Sequence, residues 1–310
     1  MTTVSSAATA SSVSYALRGS KRDMTGLVFQ ALLLLSLLFT LAILLILLAD
    51  VLSKAAPVFA ERGTGFFTSL LSSNPNKAGV LQGLIGTAVL AMTVALVAFP
   101  IGIATAVYLE EYATEGRLTR FIQINIRNLA GVPSVVYGLL GLTVFVALFD
   151  TFDGKGNGRN ILAGGFTLAV LVLPIVIITS IEALRAVPIT IREAGYGVGA
   201  SRWEVTRKLV LPAAAPGVLT GTVLALSRAL GETAPLVIAG AVIGSFSGLA
   251  FDTLLTGSYT ALPMIVYDWA RKPQDEFRAL AAAAIVVLLV VTLFANAIAV
   301  LFRNRYERSW

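Results

Sequence analysis

The chain has 310 residues, of which 57% are hydrophobic and only 13% are charged, and its formal net charge is +6. A soluble domain carries about 25% charged residues, so this composition, with a mean hydropathy of +0.85, excludes an ordinary soluble protein. The absence of Cys and His excludes disulfides, thiolate or imidazole catalysis and the usual zinc ligands.

The apolar residues form six runs that are long enough to cross a bilayer as helices. We therefore predict an all-α, polytopic membrane protein with six transmembrane helices. Residues 1–26 form a tail rich in Ser and Thr, the transmembrane domain covers residues 27–302, and residues 303–310 form a second tail. In chain order, the predicted spans are residues 27–52, 80–108, 128–149, 161–181, 217–241 and 279–302.

The basic residues are distributed unevenly between the two sides of the predicted membrane. Of 23 Lys and Arg residues, 14 fall on the side that holds both termini, eight fall on the other side, and Arg228 falls within a span. The positive-inside rule then predicts that both termini are cytoplasmic, and it accounts for the net charge without nucleic acid as a partner. Glu110, Glu111 and Glu115 follow the second span, and we interpret them as a solvated inner face without a chemical role.

A polar, charged segment lies between the fourth and fifth spans, inside the loop of residues 182–216. Residues 193–212 read EAGYGVGASRWEVTRKLVLP. The spacing of Glu-Ala-Gly, then Gly, then Leu-x-Leu-Pro resembles the EAA loop of type I ABC-importer permeases, which binds a cytosolic ATPase. Gly and Leu stand here where that family has its third Ala and its Ile. The resemblance implies that the coupling residues are Glu193, Ala194, Gly195, Gly199, Leu211 and Pro212.

Local propensities predict two short helices in this segment, residues 193–199 and 201–209. Gly199 is expected at the turn between them, because glycine adopts backbone angles that other residues avoid. Pro212 is expected to end the second helix, because proline has no N–H to donate. In the outer loop, residues 246–278, the aromatic and apolar content predicts a half-buried helix at the membrane interface.

Two charged residues fall where hydrocarbon is expected. Arg228 is the twelfth residue of the fifth predicted span, and Glu232 follows it by one helical turn. A lone arginine at the bilayer centre costs about 3 kcal/mol, which leaves two interpretations, a structural ion pair or part of a polar pathway. A guanidinium suits tetrahedral oxyanions, and we count Ser227 and Thr233 with the pair as candidate pathway residues. The flanking glycine and proline predict a break in the helix at this point.

Three further runs resemble the PstA family of phosphate-importer permeases. They are NLAGVPSVVYGLLGL at residues 128–142, SRALGETAPL at 227–236 and YTALPMIVYDWARKPQDEFRALAAAA at 259–284. The resemblance implies the type I importer fold and a permease subunit of an ATP-driven importer of inorganic phosphate in the bacterial plasma (inner) membrane. The alternative is a type I importer for another oxyanion, such as sulfate or molybdate, because the EAA spacing fits many cargoes.

The same resemblance implies the partners of the chain. A homologous PstC-like permease subunit completes the pathway, a PstB-like ATPase dimer binds ATP and Mg, and an extracytoplasmic PstS-like protein binds phosphate. The chain has no Gly-x-x-x-x-Gly-Lys-Ser/Thr loop for a nucleotide. We therefore expect no cofactor bound to this chain and no enzymatic activity. Membrane lipid is expected around the chain. A sensory role beside transport stays open.

Overall fold

The computed structural model describes residues 24–153, 158–241, 255 and 257–307. Every regular element in these residues is a helix, and chain contacts divide the protein into two units, residues 1–51 and 52–310. In chain order the helices are α1 (Met24–Arg62), α2 (Gly65–Thr68), α3 (Leu81–Tyr112), α4 (Arg117–Ala130), α5 (Ser134–Thr151), α6 (Ile161–Arg185), α7 (Ile189–Gly197), α8 (Arg202–Gly231), α9 (Ala234–Ile238), α10 (Leu262–Arg271) and α11 (Asp275–Glu307).

Six helices in the described residues are long and apolar enough to cross a membrane: α1, α3, α5, α6, α8 and α11. Their number confirms the prediction of six spans in an all-α protein. Residues 24–51 of α1, which are the described part of the smaller unit, carry large exposed apolar side chains along their whole length. A helix without a polar face is suited to lipid or to another apolar surface rather than to water.

Helix α6 lies at the centre of the larger unit, where it packs mainly against α3 and α8. Of its most apolar stretch, 67% is buried, more than in any other span that the structure describes. Small residues bring α8 close to α6. A β-carbon added at Gly217 would lie 2.7 Å from the Ala183 β-carbon, and one added at Gly221 would overlap the side chain of Thr179. Such glycines allow two helices to approach at backbone distance.

The third span begins later than predicted. The prediction started it at residue 128, but α4 ends at Ala130 and α5 begins only at Ser134. Pro133 separates the two helices with extended backbone (φ −56°, ψ 139°), because proline and the residue before it disfavour a continuous helix. Helix α4 has no buried residue and carries Arg117, Arg120 and Arg127, so it lies on the surface of the bundle, and the apolar span begins only at Ser134.

The fifth span lies nearer the N-terminus than the predicted residues 217–241. Helix α8 continues without interruption from Arg202 to Gly231, and it therefore contains Pro212, so the prediction that Pro212 ends a helix is wrong. A π-helical turn, Thr206–Val210, ends two residues before this proline, and the Leu211 N–H donates to the carbonyl of Thr206. In a π-helical turn the N–H donates to the carbonyl five residues earlier instead of four. This shift in the hydrogen bonds accommodates a proline, which has no N–H, within a continuous helix.

The close contact of α6 and α8 generates a prediction about stability. Gly221→Val should destabilise the protein by about 1–3 kcal/mol, because overpacking forces the surrounding side chains and backbone to shift. In a protein of this size that corresponds to a fall in Tm of several degrees, at about 2–4 °C for each kcal/mol.

The matched control is Gly231→Ala on the same helix, since a β-carbon there would meet nothing within 4 Å. Thermal denaturation of the detergent-purified protein, followed by size-exclusion chromatography, measures both variants. An equal Tm for Gly221→Val and the wild type would contradict the close packing.

Candidate functional site

The predicted ion pair forms at the end of α8. Arg228 Nε lies 3.3 Å from Glu232 Oε1, and the two side chains are 44% and 20% exposed. The helix stops at Gly231, and Glu232 has extended backbone angles (φ −80°, ψ 124°). Glu232 therefore lies just beyond the helix, and its side chain turns back to the guanidinium four residues earlier.

The packing of α8 on α6 gives the depth of Arg228. Gly217 lies against Ala183 and Gly221 against Thr179, so the two helices are antiparallel. Continuing this register places Arg228 level with the middle of α6 (Ile161–Arg185). An arginine at half the depth of a membrane does not face hydrocarbon without a large cost, so its exposed surface must border water or another protein chain.

The helical backbone is interrupted at the ion pair, between Gly231 and Ala234. Thr233 is half-buried and precedes α9, whose second residue is Pro235. Proline is favoured at the start of a helix, where its missing N–H has no partner to lose. Helix α9 packs against α5, and a β-carbon at Gly138 would lie 2.8 Å from the Cα of Pro235. The predicted break is therefore present, and protein rather than lipid covers part of it.

Ser227 is directed away from the ion pair. Its Oγ lies 2.6 Å from Asn296 Oδ1 of α11 and 2.8 Å from the carbonyl oxygen of Val223. The amide of Asn296 went unnoticed in the sequence, although an amide inside an apolar span is itself a signal, because polar side chains in membranes form hydrogen bonds between helices. The four candidate pathway residues thus divide into a polar link to α11 and a group around the helix break.

The segment that resembles the EAA loop folds as a helix, a turn and a helix. Helix α7 covers Ile189–Gly197, four residues earlier at its start than predicted, and Gly199 makes the turn with a φ of +82°. The Ala200 N–H donates to the carbonyl of Gly195 (3.1 Å). Only glycine adopts this left-handed conformation at little cost, so the turn depends on Gly199.

The six predicted coupling residues do not form a single surface. Glu193, Ala194 and Gly199 are exposed, whereas Gly195 is buried, and a β-carbon there would lie 2.8 Å from a methyl group of Val205. Leu211 and Pro212 are half-buried within α8. The first three are exposed and available to a partner, Gly195 allows α7 to pack against α8, and Leu211 and Pro212 are part of α8.

Helix α8 begins with a capping box. The Glu204 N–H lies 3.4 Å from Ser201 Oγ, and the Ser201 N–H donates to Glu204 Oε2 (3.1 Å). This arrangement satisfies N–H groups that the first turn of a helix leaves without partners. It fixes the point at which the loop enters α8.

The interpretation of the acidic residues after the second span is wrong for Glu110 and Glu111. The Glu111 side chain is only 5% exposed and lies 2.7 Å from Nη2 of Arg192 on α7. Glu110 accepts hydrogen bonds from Nε of Arg185 at 3.1 and 3.0 Å. Glu115 is exposed, as expected. Since these partners are far apart in sequence, no local pattern could have indicated the contacts.

The helix predicted in the outer loop is α10, with one buried and one exposed side. Leu262, Met264 and Trp269 are buried, whereas Tyr267 is 42% exposed. Phe251, one of the aromatic residues in the predicted outer loop of residues 246–278, lies outside the described residues. Among the residues that the structure describes, no group of three or more acidic side chains could hold a metal ion.

Comparison with known proteins identifies the family. Residues 98–308 match the family described as "Binding-protein-dependent transport system inner membrane component". The chain is 34% identical over 240 residues to "Phosphate transport system permease protein PstA 1" of Mycobacterium tuberculosis (strain CDC 1551 / Oshkosh), covering 76% of this chain and 75% of the relative. It is 34% identical over 230 residues to "Phosphate transport system permease protein PstA" of Yersinia pestis, covering 73% of each chain.

Solved structures agree on the fold. The chain is similar to a chain of a bacterial alginate ABC transporter in complex with a periplasmic protein that carries an alginate pentasaccharide, with a TM-score of 0.59 and 16% identity over 90% of this chain and 96% of that one. For the inward-facing MetNI methionine ABC transporter the TM-score is 0.58, with 17% identity over 73% and 95% of the two chains. This chain belongs to the family of binding-protein-dependent transport system inner-membrane components, in the PstA group of ABC-importer permeases.

Proposed function

We propose that the chain is the permease subunit of an ATP-driven importer of inorganic phosphate and forms the translocation pathway with a homologous PstC-like subunit. The observation that carries this proposal is a half-exposed arginine, Arg228, that lies level with the middle of α6 and is held by Glu232 at a helix break. Relatives with about a third of their residues identical are named as phosphate permeases. An importer of another oxyanion, such as sulfate or molybdate, is the alternative.

The chemistry of Arg228 suits an oxyanion as cargo. A guanidinium presents several N–H donors in a planar fork, which matches the oxygens of a tetrahedral anion. Glu232 occupies one edge of that fork through Nε and lowers the local positive charge. A passing anion is then held by the remaining N–H groups without being bound too tightly to leave, as conduction requires. Thr233 at the break would add to the polar lining, whereas Ser227, which contacts Asn296, would hold α8 against α11 beside it.

The proposed orientation places both termini in the cytoplasm, with residues 1–26 and 303–310 as tails around the permease domain of residues 27–302. The positive-inside rule supports it. The ion pairs from α3 to Arg185 and Arg192 fit this topology, since they require the second span to end on the side where α7 lies. The PstS-like binding protein would dock at the opposite end of the bundle.

Energy would enter through α7. The exposed Glu193 and Ala194, together with the turn at Gly199, would fit into a groove of a PstB-like ATPase dimer, which binds ATP and Mg. Gly195, Leu211 and Pro212 would transmit the movement of α7 to α8. Because α8 is continuous over 30 residues up to Gly231, a tilt at its coupling end would also move the ion pair at its other end.

The cargo assignment predicts a selective transport defect. Deletion of the gene should abolish high-affinity uptake of radiolabelled phosphate, and a plasmid copy should restore it, while uptake of sulfate and molybdate stays unchanged. A defect confined to sulfate or molybdate would instead establish the alternative. Membrane blots of the partner subunits in each strain control for loss of the whole complex.

The pathway assignment predicts that Arg228→Gln lowers phosphate uptake by at least about tenfold, since hydrogen bonds to a charged group contribute about 1.5–3 kcal/mol. Arg305→Gln is the matched control, because Arg305 is an exposed arginine near the end of α11, outside the pathway residues and the loop that resembles the EAA loop. Uptake is normalised to the amount of assembled complex. Normal uptake by Arg228→Gln would remove this side chain from the pathway.

The coupling assignment predicts that Gly199→Val weakens binding of the ATPase. Valine is strained at a φ of +82°, and the cost of about 1–2 kcal/mol would fall on the turn that presents α7. Gly197→Ala is the control, because its position has ordinary backbone angles and open space. Co-purification with the ATPase, together with ATP hydrolysis by the reconstituted complex, measures the effect; equal values for both variants would argue against this loop as the contact.

A further inference from the structure

The connection between α6 and α7 is a short turn, Ala186-Val187-Pro188, with arginines on both sides of it. Arg185 is the last residue of α6, and Arg192 lies in the first turns of α7. At Pro188 the backbone becomes extended (φ −56°, ψ 139°). A chain that passes from helix to extended backbone and back to helix has the geometry of a hinge, because a few residues between two helices can absorb a change in backbone angles.

Both arginines bind consecutive carboxylates on a third helix. Arg185 Nε donates to both carboxylate oxygens of Glu110, and Arg192 donates to Glu111 from Nε (3.2 Å) and Nη2 (2.7 Å). The two glutamates lie in the π-helical end of α3, Tyr108–Tyr112. The two ion pairs therefore connect the residues before and after the turn to the same point on α3.

Arg192 also contacts the turn itself and the end of α6. Its Nη1 donates to the carbonyl oxygen of Val187 (2.8 Å), and its Nη2 donates to that of Leu184 (2.9 Å). Carbonyl groups at the end of a helix have no partner within the helix, so this one guanidinium joins α3, α7 and the end of α6. Nearby, the guanidinium of Arg202, at the start of α8, lies 5.2 Å from the ring centre of Tyr112.

Burial separates the Glu111–Arg192 pair from the other ion pairs at this end of the bundle. Its side chains are 5% and 16% exposed, whereas those of Arg127 and Glu182, 4.0 Å apart, are each 60% exposed. Exposed pairs contribute little to stability. A buried pair with satisfied donors fixes one arrangement, because moving either partner leaves a charge unpaired.

We propose that the pairs Glu111–Arg192 and Glu110–Arg185 form a hinge lock, which makes α7 move as one body with α3 and α6. Besides the backbone, Gly195 packs α7 against Val205 of α8. Without the lock, α7 and the start of α8 would therefore swing together at Ala186-Val187-Pro188 when α7 is pulled, and α3 and α6 would not follow. With the lock, the same pull tilts α3 and α6 together. The inference rests on the proposed function in one respect, that the force on α7 comes from an ATPase.

The test uses the reconstituted complex of all subunits in vesicles and measures the cargo imported for each ATP hydrolysed. Glu111→Gln and Arg192→Gln should keep ATP hydrolysis and assembly but lower this ratio by about fivefold or more, the lower range of ordinary coupling between sites. The charge-swapped double variant Glu111→Arg/Arg192→Glu should recover part of the ratio. Glu182→Gln, which removes the exposed pair at the same end, should leave the ratio unchanged.

A covalent bridge distinguishes a mechanical role of the Glu111–Arg192 pair from a role of the pair in folding. Because the chain has no native Cys, Glu111→Cys/Arg192→Cys can be joined by a short bis-maleimide; the joined complex should transport with a normal ratio and the unjoined complex should not. An unchanged ratio in the single Gln variants would overturn the hinge lock. A loss that neither the swap nor the bridge restores would also overturn it. An error in the cargo assignment would appear separately, as a wild-type complex that imports another oxyanion.

Discussion

Hydrocarbon offers no hydrogen-bond partner to a peptide group, and this constraint governs the structure of the membrane-spanning part. Each span must satisfy its own backbone and is therefore a helix. Irregular backbone at membrane depth is acceptable only where protein or water covers it. The break after Gly231 meets this condition, because Pro235 is buried and α9 packs on α5. The helix break is thus part of the packed structure, and it lies next to the ion pair of Arg228 and Glu232.

Close packing of α8 on α6 determines where that pair lies. Gly217 and Gly221 have no side chains to hold the two helices apart, and the resulting register brings Arg228 to the middle of α6. The same helix that presents Arg228 begins at the capping box of Ser201. One continuous helix therefore connects the loop of the EAA type with the polar site. This continuity gives a physical route by which ATP hydrolysis on a partner could change access to the site.

The charged end of the bundle has a different physical basis. There, two arginines and two glutamates join three helices around a short turn, and the buried pair determines geometry more than it adds stability. Under the proposed function, an ATPase would bind α7, and α7 would pass its movement on to the bundle. A helix attached only by its backbone would respond by turning at its ends. The ion pairs make it part of the bundle.

The sequence by itself determined the features that depend on neighbours along the chain. Long apolar runs specified six membrane-spanning helices, the position of Gly199 specified a turn, and the four-residue spacing of Arg228 and Glu232 indicated an ion pair as one of two interpretations. The pair forms although Glu232 lies just beyond the helix. Tertiary structure decided the rest. Glu110 and Arg185 are 75 residues apart in sequence and Ser227 and Asn296 are 69 apart, and contacts over such distances arise only when packed helices bring the side chains together. The continuation of α8 through Pro212 likewise depends on a π-helical turn, which no residue pattern in the chain predicted.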